Sequence, residues 1–318
     1  MNQTKDNFIM LPTVDICFKE LMQNPKVRKG FIAALLGKHP EEIRETTLLP
    51  TALRQGSPND KLGILDVRVL LEDETQMDLE MQVAYFEHWD KRILFYLGKM
   101  YTEQLQKGES YEKLKKCIHV SILDFVHFEE DDECYRTIRF GDVKTGREYT
   151  DLFELQILEL PKLAKHLKNR EDVIQWMRFF SGKNKEEFEI MAKKNEYLDE
   201  AYQALKKMSA DEKKRLIYEE REKALKDYNT QMSSMLRRGL ERGLEQGLEQ
   251  GLEQGLVQGL EQGLEQGLEQ GLEQGLEQGL QLAKQMIQLG QQGKSYEEIA
   301  EICETTIENV KDILYNVL

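Results

Sequence analysis

The stretch LGILDVRVLLEDETQMDLEMQVA, residues 62–84, decides the fold of this chain. It predicts two strands around a short acidic turn. The first strand is apolar except at two positions, one of which is Asp66. The second strand carries Glu80 and Gln82 two positions apart, so their side chains share one face. If the turn is centred near Asp73, Asp66 lies opposite Glu80, and two carboxylates and an amide form one cluster.

Such a cluster has two interpretations. A carboxylate inside an apolar strand is costly to bury as an anion unless it is paired or bound to a metal ion. Two converging carboxylates also raise each other's pKa unless a cation neutralises both. Mg²⁺ does so, and once bound it polarises a phosphodiester and activates water. Alternation of polar and apolar residues is the ordinary signature of an antiparallel hairpin with a solvated polar face, so spacing alone favours that interpretation while leaving the metal site open.

A resemblance to a known family bears on this choice. The pattern of Asp66 followed by Glu80-x-Gln82 resembles the PD-(D/E)XK nuclease site in the variant where Gln replaces Lys. Further segments resemble the recombination-promoting nuclease family, also described as putative transposases. These segments are DICFKELM at 15–22, HWDKRILFYLGKMYTEQLQKGESY at 88–111 and FELQILELPKL at 153–163. The resemblance covers roughly residues 8–230, with its pieces in the family's order.

The resemblance implies an α/β fold, a restriction-endonuclease-like αβββαβ core with a helical C-terminal extension. It also implies a metal-dependent DNA endonuclease linked to recombination and mobile elements. Carried over to this chain, Asp66 and Glu80 are the expected ligands of Mg²⁺, with Mn²⁺ as a substitute. The carbonyl of Met81 is a further expected ligand, and Gln82 is expected to position water or phosphate.

Other residues are candidates for the same site. Gln82 brings no charge, so stabilisation of the transition state is expected to come partly from a second metal or a basic side chain. Asp15 occupies the early acidic position that some nucleases of this fold recruit. It is equally well explained as a helix N-terminal carboxylate favoured by the helix dipole. Arg92 and Tyr96 are four residues apart on one predicted helix face and are weaker candidates for phosphate contacts.

The overall charge argues against extensive phosphate contacts. The net charge is −14, with a charged fraction of 32 %, whereas phosphate contacts by basic side chains supply most non-specific DNA affinity. Basic clusters do occur, and each alone is typical of a solvated surface. They are Lys26, Arg28 and Lys29; Lys113, Lys115 and Lys116; and Lys162, Lys165, Lys168 and Arg170. A non-catalytic nuclease-like scaffold, acting in interaction or self-assembly, is therefore the alternative function.

Cysteine usage and hydropathy bear on the compartment. The chain has four cysteines and none forms a Cys-x-x-Cys pair, which argues against zinc and redox motifs and favours a reducing cytoplasm. No apolar run approaches the length of a membrane span, so we expect no membrane partner.

The coarse organisation predicts four segments. They are a PD-(D/E)XK nuclease-like domain at 1–165, a helical extension at 166–238, a tetrapeptide repeat at 239–280 and a helical hairpin at 281–318. Within the first two, the elements predicted are helix 13–36 with a break near Asn24-Pro25, strand 45–53, helix 88–106, strands 116–128, 134–141 and 151–160, and helices across 161–230.

The repeat at 239–278 consists of ten tetrapeptides of the form Gly-Leu-Glu-Gln, broken only at Arg242 and Val257. Glycine costs a helix about 1 kcal/mol relative to alanine, so an isolated helix of this sequence is marginal. Rows of glycine also allow two helices to approach closely. We therefore weigh a long helix stabilised by self-association, and hence a homo-oligomer formed through the C-terminal helices, against a disordered, solvated linker.

The last forty residues or so regain complexity and predict two short helices. Ser295-x-x-Glu298 and Thr305-x-x-Glu308 both have the spacing of a capping box. The segment resembles a helix-turn-helix, but its second helix offers only Lys311 as a cation, whereas a DNA reader places polar or basic side chains at the start of that helix. A helical hairpin for assembly is favoured over sequence-specific DNA binding.

Overall fold

The structure is a computed structural model that describes residues 8–55, 57, 59, 61–165 and 171–315. Within this range, six strands form one mixed sheet in the order β1-β2-β3-β4-β6-β5. The strands are β1 (Thr46–Leu49), β2 (Val67–Leu71), β3 (Gln76–Gln82), β4 (Cys117–Leu123), β5 (Tyr135–Gly141) and β6 (Glu148–Glu159). Strands β3, β4 and β6 run parallel, and the remaining pairs are antiparallel.

Helices of the described residues account for most of the remaining chain. They are α1 (Asp15–Gln23), α2 (Pro25–Leu36), α3 (Trp89–Thr102), α4 (Glu171–Ser181), α5 (Lys185–Ala192), α6 (Glu196–Ala210), α7 (Glu212–Gln291), α8 (Tyr296–Ile302) and α9 (Ile307–Tyr315). The order of helices, three strands, helix and strand confirms the predicted αβββαβ core, to which β5 and β6 are added.

The predicted hairpin is confirmed in type and register. Val67 of β2 pairs with Leu79 of β3, and continuing this register by one residue sets Asp66 across from Glu80. The turn is closed by Asp73, whose carboxylate accepts a hydrogen bond from the Thr75 amide at 3.0 Å. An acidic side chain that binds its own backbone two residues on is a common way to fix a turn, and here it fixes which residues face each other.

The sheet divides its side chains between two layers. On one face, Met77, Leu79 and Met81 of β3 are buried in the main core with residues of α1, α2, α4, α5 and α6. On the other face, α3 packs through two smaller apolar clusters, one of which joins Trp89 and Ile93 to strands β4 and β6. Because successive side chains of a strand alternate between faces, the even-numbered residues of β3 lie on the face that α3 covers.

The predicted break near Asn24-Pro25 is confirmed. The side chain of Asn24 accepts hydrogen bonds from the amides of Lys26 and Val27, which caps α2, and Pro25 takes its first position. Proline suits this position because its missing N–H would have no partner in the first turn. The break turns the chain so that α1 and α2 pack as two separate helices.

The chain forms two compact units, Met1–Gln231 and Met232–Leu318. In the first, helices α4 to α6 share the main core with the sheet. In the second, the end of α7 packs against α8 and α9 around Met286, Ile299 and Val310. The repeat lies within α7 with its leucines exposed, so the structure agrees with the long helix and not with the linker. The division into four segments stays a prediction.

The caps of the C-terminal helices agree with one prediction and correct another. Ser295 and Glu298 form the expected capping box, with the Ser295 amide donating to the Glu298 carboxylate at 2.8 Å. The second predicted box was wrong by one residue, because α9 begins at Ile307 and the Asn309 amide donates to the hydroxyl of Thr306. None of the described helices is both long and apolar enough to cross a membrane.

Candidate functional site

The predicted site residues lie at one edge of the sheet, where β2 begins and the parallel strands β3 and β4 end. Asp66 directly precedes β2, and Glu80 and Gln82 lie in the second half of β3. The amide of Asp124, just past β4, donates to the Gln82 carbonyl at 2.9 Å, which fixes the end of β3 beside that of β4. The carboxyl ends of parallel strands commonly border ligand sites.

Asp66 is held by its partner strand and by the first helix. Its Oδ2 accepts a hydrogen bond from the Met81 amide at 3.4 Å, and its Oδ1 lies 2.8 Å from the Nζ of Lys19. The same Nζ lies 3.9 Å from the Asp15 carboxylate, one helical turn earlier. The structure thus brings Asp15 towards Asp66 through a shared lysine and not by direct contact.

Glu80 is 2 % exposed, and burial raises the pKa of its carboxyl to about 7, with the nearby acidic side chain of Asp78 as the next cause. The guanidinium of Arg92 opposes this rise, since its Nη2 lies 2.8 Å from the Glu80 carboxylate. The same nitrogen donates to the Gln82 side chain at 3.2 Å. Arg92 therefore ties the glutamate and the glutamine together.

The predicted pairing of Arg92 with Tyr96 on one helix face is borne out by geometry. The Arg92 guanidinium lies 5.5 Å from the centroid of the Tyr96 ring, a separation at which cation and ring attract each other. Whether either side chain contacts phosphate stays a prediction. Met81 reaches the site through its backbone only, because its side chain is buried in the core on the other face.

A buried polar chain lies behind the carboxylates. The Asp78 carboxyl and the His119 Nδ1 are 2.8 Å apart, and the His119 Nε2 is 2.8 Å from the Ser121 hydroxyl. Burial raises the pKa of Asp78 and lowers the pKa of His119, so both groups favour their uncharged forms. These three hydrogen-bonded side chains are buried away from solvent, which argues that they support β3 and do not contact a substrate directly.

Sequence reasoning missed three of these residues. Lys19 lies four residues after Asp15 in the segment 15–22, so its place on the same helix face was a usable signal. Asp78 lies two residues before Glu80 and hence on the same strand face. His119 gave only a weak signal as a lone polar residue in an apolar strand.

Two of the basic clusters are partly structural. The guanidinium of Arg28 is buried and donates to the carbonyls of Met22 and Thr46. Lys162 is buried beside Glu159, with its Nζ 2.9 Å from the carboxylate. These two cations hold the fold together and are not exposed to a DNA backbone. Lys168 and Arg170 lie outside the described residues.

The donor set suits a hard divalent cation. Asp66, just before β2, and Glu80 of β3 offer carboxylate oxygens from facing positions of the hairpin, and the raised pKa of Glu80 reflects burial and like charge that a cation offsets. In the described part of the chain, no three histidine, cysteine or acidic side chains are grouped so as to hold a metal ion. Mg²⁺ requires only one or two carboxylates and completes its shell with waters and other oxygens, so the residues fit it.

Comparison with known proteins gives one match. The model of a protein family described as PD-(D/E)XK nuclease family transposase matches residues 12–234, which is more than half of the 318 residues. This range contains every segment on which the resemblance was based. No curated protein and no solved structure matches the chain.

Proposed function

Since the chain belongs to the PD-(D/E)XK nuclease family of transposases, we propose that it is a metal-dependent DNA endonuclease that hydrolyses phosphodiesters and promotes recombination of mobile DNA. The family and the mixed α/β sheet confirm the predicted fold class, and a nuclease-like role follows from the family. The single observation that supports the finer proposal is the placement of Asp66 across from Glu80, with Gln82 beside them.

Asp66 and Glu80 would hold Mg²⁺ or Mn²⁺, and the Met81 carbonyl is proposed as a third protein ligand. A bound divalent cation supplies Lewis-acid polarisation of the phosphodiester and an activated water. The side-chain oxygen of Gln82 accepts a hydrogen bond from Arg92, and its side-chain nitrogen donates one to the Ala84 carbonyl at 2.9 Å. These two bonds fix the orientation of the side chain at the end of β3. Held in this way, Gln82 is suited to orient water or phosphate.

Positive charge missing from Gln82 is available from two other elements. Lys19 of α1 pairs with Asp66, and Arg92 of α3 pairs with Glu80. If the two carboxylates held a cation, Lys19 and Arg92 would each lose a partner and would be available to the phosphate. Preorganised donors aimed at developing negative charge are a major source of rate acceleration. We propose that Lys19 and Arg92 take the role that lysine has in other nucleases of this fold.

Cleavage of supercoiled plasmid by the purified full chain tests this function. We expect cleavage with Mg²⁺ or Mn²⁺, none with EDTA, and loss of at least about a hundredfold in rate in Asp66→Asn. Glu72→Gln is the matched control, because this exposed carboxylate lies at the other end of the same hairpin. Wild-type cleavage by Asp66→Asn would remove Asp66 from the site.

The arginine at the site keeps a second candidate function open, that of a non-catalytic nuclease-like scaffold. Arg92 already neutralises the buried Glu80, as it would in a site that holds no metal. A calorimetric Mg²⁺ titration separates the two proposals. Heat of binding that disappears in Glu80→Gln supports the nuclease, and no heat at millimolar metal supports the scaffold.

The remaining parts of the proposal concern partners and compartment. We propose DNA as the substrate and self-association through the C-terminal helices, supported by leucines of the repeat that are exposed along α7. We also propose a cytoplasmic location, with which the four free, buried thiols agree.

A further inference from the structure

We propose that Tyr85 and Phe86 form a stacking platform for unpaired bases, so that DNA with a single-stranded segment is bound in preference to plain duplex. The inference rests on the proposed nuclease function and names the substrate of the same site. It concerns the loop at 83–88, which joins β3 to α3.

The two rings are exposed in the loop that directly follows Gln82. Tyr85 is 59 % exposed and Phe86 is 47 % exposed, three and four residues after Gln82. The next large aromatic residue along the chain, Trp89 at the start of α3, is only 1 % exposed and packs in an apolar cluster with Ile93. The two rings of the loop therefore face solvent, whereas the ring that follows them in the chain is buried.

The loop that carries the rings is fixed at several points. The ring of Tyr85 meets that of Phe125 edge to face, with centroids 5.9 Å apart, and Phe125 follows the end of β4. The Ala84 carbonyl accepts from the Gln82 side chain, and Trp89 anchors the far end of the loop. A ring held in this way loses little conformational freedom when a ligand stacks on it, which favours binding.

The chemistry of the exposed rings selects unpaired bases. A nucleobase stacks well on an aromatic face, and each such contact strengthens binding of single strands with little regard to sequence. In a duplex both faces of each base are already covered by neighbouring bases, so the platform has nothing to stack on. The net charge of −14 also gives little general attraction for the duplex backbone. Stacking thus supplies affinity that phosphate contacts do not.

Fluorescence anisotropy with the full chain in EDTA tests the proposal without depending on cleavage. The probes are a labelled single strand, its duplex, and a strand of equal length whose central nucleotides are abasic. We expect the intact single strand to bind about tenfold tighter than the other two, and the double variant Tyr85→Ala, Phe86→Ala to lose this preference. Tyr85→Phe keeps a ring and should keep the preference.

Matched controls are Tyr111→Ala and Tyr149→Ala, two still more exposed tyrosines that lie before β4 and in the first half of β6, away from the carboxyl ends of the parallel strands. They should bind as the wild type does. Equal affinity for intact and abasic strands, or an unchanged preference in the double variant, would overturn the inference.

Cleavage of the same probes with Mg²⁺ separates this inference from the proposed function. Ring-dependent binding without any cleavage would reject the nuclease proposal and leave the platform standing as a DNA-binding surface. Cleavage of duplex and single strand at equal rates, with no effect of the double variant, would reject the platform alone.

Discussion

At the scale of single residues, Lys19 is a basic side chain of the candidate site that was not predicted from the sequence. Its ammonium group lies 2.8 Å from Asp66 and supplies charge that Gln82 lacks. We expect Lys19→Met to lower kcat about 10²- to 10³-fold, the range seen when one donor to a developing oxyanion is removed, while KM changes little. Steady-state cleavage of a labelled oligonucleotide measures both constants.

The matched control for Lys19 is Lys91→Met, an exposed lysine that adjoins Arg92 on α3. It should cleave at the wild-type rate, and Lys19→Arg should recover part of the lost activity because it restores the charge. An unchanged kcat in Lys19→Met would show that the lysine only supports the fold around Asp66.

The raised pKa of Glu80 predicts that the free energy of unfolding depends on pH. Burial raises the pKa of its carboxyl to about 7 from an ordinary value of 4.5. Between these values the folded protein keeps a proton that the unfolded chain has released, so the free energy of unfolding falls as pH rises. Glu80→Gln removes this contribution. We expect the stability of the wild type relative to Glu80→Gln to fall by on the order of 3 kcal/mol between about pH 4.5 and pH 7.

Urea denaturation in EDTA at several pH values measures this difference, with Glu72→Gln as the exposed control. Parallel pH profiles for wild type and Glu80→Gln would contradict the raised pKa. Added Mg²⁺ should reduce the loss of stability at higher pH, because a bound cation favours the ionised carboxylate.

The sequence predicted the central pair of residues but not their neighbours. Asp66 and Glu80 face each other because a short turn fixes the register of an antiparallel hairpin, and turn signals are local. The contact of Lys19 with Asp66 depends on how α1 docks against the sheet, which is decided by packing of distant segments. The link from Arg92 to Glu80 likewise depends on the position of α3, so only its helix face was predictable.

At the scale of elements, the contact between α2 and α6 depends on a glycine. A Cβ added to Gly30 would lie about 2.5 Å from the Cβ of Tyr197, so the two helices would have to move apart. We expect Gly30→Ala to destabilise the protein by about 1–3 kcal/mol, the usual cost of overpacking. Urea denaturation gives the free energy of unfolding.

Gly98 of α3 is the matched control for this prediction. A Cβ there meets no atom within 4 Å, so Gly98→Ala should be neutral or stabilise α3 by up to about 1 kcal/mol. Equal effects of the two substitutions would contradict the close approach of α2 and α6.

Helices and strands with strong local sequence signals were predicted well. Those whose ends depend on pairing with another element were predicted less well. The break before α2 and the apolar strand β4 were predicted from nearby residues. The β6 strand begins at Glu148, earlier than predicted, because it pairs with β5 beyond an irregularity at Phe140. The start of α9 was misplaced because two successive threonines offer equivalent hydroxyl caps.

At the scale of the whole molecule, the two compact units predict separable roles. Deleting residues 239–278 removes the tetrapeptide repeat from the second unit and leaves the residues of the candidate site unchanged. We expect the deleted protein to retain DNA cleavage and to lose self-association, since the exposed leucines of the repeat are the proposed contact.

Sedimentation velocity and plasmid cleavage on the same preparations test this division. A deletion that abolishes cleavage while the first unit stays folded would show that activity requires assembly. A deletion that leaves the oligomeric state unchanged would remove the repeat from the proposed interface.

The most direct test of the nuclease account is the metal dependence of cleavage. Supercoiled plasmid is incubated with the purified chain in EDTA, and Mg²⁺ or Mn²⁺ is then added in excess, alongside Asp66→Asn. We expect no cleavage in EDTA, cleavage on addition of either metal, and cleavage at least about a hundredfold slower by the variant. Cleavage that persists in EDTA, or that Asp66→Asn performs at the wild-type rate, would contradict it.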